Sequence, residues 1–263
     1  MRCAVVGHVE WTESVLVDHV PGPGQIAHAT ADWAEAAGGG AVIAAQLAKL
    51  AGTCDFFTAF GDDELGHRSN ERLAGLGIAV HPEWFGTTRR AFVQVDAHGE
   101  RTITTVGPKL RPREVPPMDG YDAVFFGAGE PDVLRAARAA RFLAATPREL
   151  PTLLEGCVHL DLLVGSGTDP GENYEGGLDV GLVVRTEGSL GGTADGRRFQ
   201  PAPVPGPVAD TYGAGDSFGA ALCFALARGD DLDAALGLAA RAGAAVITGK
   251  GPFTAQISGA ELG

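Results

Sequence analysis

Apolar residues along this chain follow two rhythms. Short, nearly unbroken runs at Arg2–Gly7, Cys54–Phe60, Ala123–Phe126, Leu160–Val164 and Gly181–Arg185 read as strands buried on both faces. Between them lie stretches with helical spacing. AVIAAQLAKL at Ala41–Leu50 is built from good helix formers, and Gly52 sits just past its end, where a left-handed residue closes a helix. Asp62 or Asp63 can cap a helix running to about Ala74. Further helices are predicted over about Asp132–Ala145, over Ser217–Ala227 with its end at Arg228–Gly229, and over about Leu232–Val246. Strands alternating with helices imply a mostly parallel sheet covered on both faces, an α/β architecture.

Two regions break that rhythm. AFVQVDAHGERTITTV at Ala91–Val106 alternates apolar and polar positions on both sides of Asp96–Glu100, the pattern of a half-exposed hairpin. The Val15–Trp33 segment is less periodic, carries a Pro21–Gly24 turn and has room for two short edge strands. Together they are expected to form a small β-sheet lid, about residues 11–35 and 86–107, on a single domain spanning 1–263. Gly188–Phe199 reads as another hairpin, and Pro201–Val208 as an extended connection.

Composition narrows the function. The 263 residues carry 20 Lys and Arg against 33 Asp and Glu, a net charge of −13. That balance argues against nucleic acid as a partner, because backbone binding needs clustered cations. It leaves a nucleotide open, since local amides hold phosphates whatever the global charge. No apolar run is long and charge-free enough to span a membrane. The amino terminus lacks a signal-peptide layout, so a cytoplasmic location is expected. Cys3, Cys54, Cys157 and Cys223 are widely spaced in apolar stretches and are expected to be buried free thiols. The seven histidines show no metal-ligand spacing and receive no role.

The chemistry concentrates in DTYGAGDSF at Asp210–Phe218. Gly213 and Gly215 flank Ala214 at the start of an apolar helix, so unshielded backbone amides meet the positive end of the helix dipole. An anion binds well there. Asp216, in the same turn, either caps the helix or takes the proton of an attacking hydroxyl. Glu130 closes the strand-plus-glycine run AVFFGAGE, at the strand end where ligands of such sheets bind, and is a candidate substrate contact. Arg89, Arg90 and Arg101 could meet an acidic or phosphorylated substrate.

DTYGAGDSF resembles the carboxy-terminal signature of the ribokinase-like, or PfkB-type, carbohydrate kinases, D-T-x-G-A-G-D. The resemblance implies a ribokinase-like three-layer α/β/α core with a small β-sheet lid, Asp216 as catalytic base, and the Gly213, Ala214 and Gly215 backbone as anion hole. TEGSLG resembles the family's nucleotide loop and implies ATP contacts from Thr186, Gly188 and Gly191; from spacing alone it is a hairpin turn. GGGAVIAAQLAKLAG at Gly38–Gly52 resembles the first signature, a glycine hinge that places Gly38 and Gly39 near the substrate. GSGTDPGE stands where the family has N-x-x-E, with either Ser166 and Asp169 or Asp169 and Glu172 acting on Mg²⁺ through water. Asp210, with the loop near Gly249–Gly251, implies a monovalent cation such as K⁺ behind the anion hole.

The sequence departs from the family pattern on the substrate side. Ile43 replaces a sugar-contacting Asn, and Thr12 stands where ribokinase has a sugar-holding Asp, with Glu10 as a nearby substitute. The expected activity is ATP-dependent phosphorylation of a primary hydroxyl on a sugar, sugar derivative or nucleoside. The alternative is a catalytically idle nucleotide- or sugar-binding sensor. Relatives also pair through their lids, which implies a homodimer.

Overall fold

The computed structural model describes residues 1–262. The first half contains strands β1 (Cys3–Val6), β2 (Glu10–Leu16) and β3 (Ala31–Ala37), helix α1 (Gly39–Ala51), β4 (Cys54–Phe60), α2 (Glu64–Ala74), β5 (Ile78–Trp84), β6 (Arg90–Val95) and β7 (Arg101–Val106). The second contains β8 (Ala123–Phe126), α3 (Pro131–Ala137), β9 (Leu143–Ala145), α4 (Leu150–Gly156), β10 (Leu162–Ser166), β11 (Val183–Thr186), the hairpin β12 (Gly192–Ala194) and β13 (Arg197–Phe199), α5 (Ala214–Arg228) and α6 (Leu232–Val246).

A nine-stranded sheet runs β13-β12-β11-β10-β9-β8-β1-β4-β5. It is parallel from β11 to β5, and β12 and β13 add an antiparallel edge. Alternate residues of β1 point to opposite faces. Cys3 and Val5 join the core beneath α1, α5 and α6, whereas Ala4 and Val6 join the one formed with α3 and α4. That division makes three layers, and each fully buried Val or Leu contributes about 1.5–3 kcal/mol. A smaller sheet, β3-β2-β6-β7, stands beside it, with β2 and β6 parallel and the outer pairs antiparallel. β6 alternates buried and open positions, while the edge strand β7 is exposed throughout.

Several expectations are corrected. The helix expected to reach Ala145 stops at Ala137, and Leu143–Ala145 become β9, paired between β8 and β10 with no exposed surface. Burial in the sheet centre outweighs the helix propensity of this Ala- and Arg-rich stretch. The strands expected within Val15–Trp33 instead flank the Pro21–Gly24 turn, as β2 and β3. β5 and α4 were not foreseen. Pro82 obscures β5, an edge strand where proline is tolerated, and Pro151 opens α4. Cys3, Cys54 and Cys223 are buried free thiols, but Cys157 is exposed at the end of α4, in a left-handed turn with φ 51°.

Candidate active site

The signature loop is held from behind by Asp210. This buried carboxylate accepts from Tyr212 N at 2.9 Å through Oδ1 and from Gly251 N at 3.2 Å through Oδ2. Burial raises its pKa above the usual carboxylate value. Gly213 then turns the chain with φ 85°, and a Cβ there would meet Pro252 at 2.9 Å and Val42 at 3.0 Å. Helix α5 begins at once. Nothing lies within 4 Å of where a Gly215 side chain would be, so open space faces the first turn, where Ala214 N makes a long 3.4 Å bond to Thr211 O.

Asp216 sits in that turn, half-buried. Burial pushes its carboxyl up to about 6; Glu172 and Glu10 push the same way, while Arg101 and Arg148 oppose them. Across from it is the start of α1. A Cβ on Gly39 would come within 2.9 Å of Asp216 Oδ1, so only glycine leaves the carboxylate its position. Gly40 packs its bare Cα against the backbone of Gly7 and His8, where a Cβ would come within 2.7 Å of His8 O.

Tyr212, the variable residue of the signature, ties these parts together. Its buried hydroxyl accepts from Gly38 N at 3.1 Å and donates to Glu10 Oε1 at 3.2 Å. Glu10 Oε2 lies 3.2 Å from Arg89 Nε on the edge of the smaller sheet. The turn between β6 and β7 reaches the loop from the other side. Gly99 O accepts from both N and Oγ1 of Thr211 at 3.0 Å, and Arg101 donates to Thr211 O at 2.6 Å. Thr12 and Ile43, the departures from the family pattern, serve packing: Thr12 Oγ1 donates to Glu35 O, and Ile43 is buried in α1.

At the end of β10, Arg148 bridges Asp169 at 2.5 Å and Glu172 at 2.9 Å. Hydrogen bonding to Arg148 holds the Asp169 carboxyl below its usual range. Glu172 Oε2 also accepts from Ser166 N at 2.6 Å, and Asp169 Oδ1 from Gly171 N at 2.8 Å. Every oxygen of both carboxylates therefore has a donor. Among the described residues no cluster of metal-ligating side chains forms, so direct ligation of a cation does not fit, while contact through water does. Ser166 offers its hydroxyl to the Thr168 and Asp169 amides. Thr186 ends β11 beside Ser166, and Gly188 and Gly191 bracket a 3-10 turn into β12. Glu130 is exposed at the start of α3, and no described contact joins it to the Glu10–Asp216 group.

Sequence reasoning missed His8. It stands just past β1 against Gly38 and Gly40, and its Nδ1 is buried with no hydrogen-bond partner. Burial, reinforced by Lys109, Arg89, Arg111 and Arg148, holds its pKa well below the usual histidine value. No spacing rule could have found it, because its neighbours come from distant segments.

Residues 182–257, which include the signature loop, match the family described as pfkB family carbohydrate kinase. That part of the chain is similar to the pfkB-type carbohydrate kinases. The chain is 27% identical to aminoimidazole riboside kinase of Salmonella typhimurium, over 83% of each chain. Ribokinase of Thermotoga maritima superposes with a TM-score of 0.75 at 22% identity, over 100% of this chain and 98% of that one. Arabidopsis thaliana ribokinase, solved with ribose and ATP, gives 0.74 at 23% identity, over 99% and 97%. These two structures share the ribokinase fold that the signature implied. Among the described residues no helix is long and apolar enough to cross a membrane.

Proposed function

We propose that this ATP-dependent sugar or nucleoside kinase uses Asp216 as its base. The observation that carries the reading is the pairing of Asp216, at about pKa 6, with open space before Gly215 in the same helical turn. ATP, arriving with Mg²⁺ on its phosphates, directs its γ-phosphoryl group to the amides of Gly213, Ala214 and Gly215. Thr186, Gly188 and Gly191 border the nucleotide. The acceptor lies against Gly38 and Gly39, where the missing side chains make room. Asp216 takes the proton of a primary hydroxyl as its oxygen bonds to phosphorus, and the bond from phosphorus to ADP breaks in line. The hydroxyl proton ends on Asp216 and ADP leaves.

Asp169 and Glu172, kept in place by Arg148, would hold Mg²⁺ through water. Asp210 braces the loop behind the anion hole, with K⁺ as the cation that would tighten it. The smaller sheet acts as a lid whose Gly99 turn excludes water from the transfer. Pairing of two lids in a homodimer is consistent with the exposed face of β7. Glu130, lying apart, is the weakest of the substrate contacts.

The test is ADP release by the purified protein with Mg²⁺ and K⁺ across sugars, sugar acids and nucleosides, with Asp216→Asn alongside. Acceptor-dependent release that disappears in the variant is expected. Release equal in both proteins would remove Asp216 from its role. ATP and acceptor binding with no turnover by either would instead favour the sensor.

A further inference from the structure

We propose that Arg101 of the lid touches the γ-phosphoryl group as it transfers, bringing a full positive charge to an anion hole otherwise made of backbone amides. This rests on the reading that the Gly213–Gly215 loop receives that group.

Direct contacts put Arg101 at the loop. Its Nη1 donates to Thr211 O at 2.6 Å and lies 3.3 Å from Thr211 Oγ1. The same carbonyl oxygen accepts from Ala214 N, one of the proposed anion-hole amides, at 3.4 Å. The guanidinium and the first turn of α5 therefore meet at one oxygen. The guanidinium also lies over the Tyr212 ring, 5.4 Å from its centre, in the middle of the signature. The turn that leads into Arg101 is fastened to the loop as well, since Gly99 O accepts from N and Oγ1 of Thr211 at 3.0 Å. Arg101 thus arrives together with the lid turn.

Within the protein, the charge of Arg101 goes unanswered. The other two lid arginines are matched. Arg89 lies 3.2 Å from Glu10 and donates to Thr105 Oγ1 at 2.9 Å, and Arg90 donates to Glu13 Oε1 at 2.6 Å. Among the described residues Arg101 forms no ion pair, and its Nε and Nη2 make no hydrogen bond. The residue is exposed, so both nitrogens are open to a ligand.

The transferring group needs such a charge. Phosphoryl transfer spreads negative charge over the equatorial oxygens. Here that charge develops in the same helical turn as Asp216, in a chain of net charge −13. Helix amides offer partial charges, whereas a guanidinium offers a whole one through a planar fork of donors. With Nη1 on Thr211 O, the remaining nitrogens can grip a phosphoryl oxygen. Arg101 keeps its proton throughout.

The test is titration calorimetry with Mg²⁺ and either ADP or the non-hydrolysable ATP analogue AMP-PNP, on the parent, Arg101→Met and Arg101→Lys. AMP-PNP carries the third phosphoryl group and ADP does not. Arg101→Met is expected to weaken AMP-PNP about tenfold, the scale of one charge-assisted hydrogen bond, and ADP by less than about twofold. Arg101→Lys is expected to recover part of the loss, because it restores the charge without the fork. Melting curves verify that both variants fold. An arginine that only latches the lid would weaken both nucleotides alike in Arg101→Met, and that result overturns the proposal. Equal binding of AMP-PNP by all three proteins also overturns it and leaves the amide anion hole standing. A parent that binds neither nucleotide at millimolar concentration loses the kinase reading, and the proposal with it.

Discussion

The two sides of the cleft are built from different materials. The side proposed to meet phosphate is backbone: a left-handed Gly213, open space at Gly215 and the first amides of α5, all within one continuous loop. The side proposed to meet the acceptor is side chains, Glu10, Tyr212 and Arg89, gathered from separate segments around Gly38 and His8. A site made of backbone restricts which residues can stand at each position, so it marks the sequence. A site made of paired side chains can be assembled from many positions and leaves no spacing to read.

The largest expected effect tests whether Asp216 belongs to the chemistry rather than to the scaffold. Asp216→Asn is expected to lower kcat by about 10²–10⁴, the range for a lost general base. The same variant is expected to melt higher than the parent at pH 7.5, because the buried site no longer has to hold a charge. A helix cap alone would predict the opposite change in melting temperature.

Next come the glycines of the backbone side. Gly213→Ala places a side chain at φ 85° against Pro252 and Val42 and is expected to cost about 1–3 kcal/mol in denaturant unfolding. Gly39→Ala meets only the Asp216 carboxylate, so it is expected to lower kcat about tenfold or more while sparing most of the stability. Equal losses of stability in the two variants would erase the distinction between loop scaffold and reacting centre.

A pH profile sharpens the same distinction. Asp216 has a folded pKa of about 6, raised above the ordinary carboxylate value. The folded state therefore binds its proton more tightly than the unfolded chain. Its contribution to stability is complete below about pH 4 and is lost as pH rises through 6. Activity runs the other way, since the base must be ionised, and kcat/KM is expected to climb through about pH 6. The smallest effect is expected from Tyr212→Phe, which removes the hydroxyl shared by Gly38 and Glu10 and is expected to cost about 1 kcal/mol in urea unfolding.

What the sequence disclosed follows from the same contrast. The parallel core was legible because β1, β4 and β8 are continuous apolar runs, and the signature loop because its glycines are forced. β9 was hidden because Leu143–Ala145 extend an Ala-rich stretch that would be helical if exposed; only its neighbours in the sheet make it a strand. Glu10 was reached through the family resemblance, as a neighbour of Thr12, whereas His8 carried no local mark at all. Asp169 and Glu172 were readable as an acidic pair, but the arginine that occupies them arrives from Arg148, far away in the chain.

The bonds between Gly99 and Thr211 have a consequence for the order of events. Thr211 belongs to the loop proposed to receive phosphates, and Gly99 to the turn proposed to cover the acceptor. Ordering one therefore lowers the cost of ordering the other. By linkage, nucleotide should tighten acceptor binding by the same factor that acceptor tightens nucleotide binding. A turn closed by nucleotide alone would also shut the acceptor out, so the faster route to a productive complex is expected to begin with the acceptor.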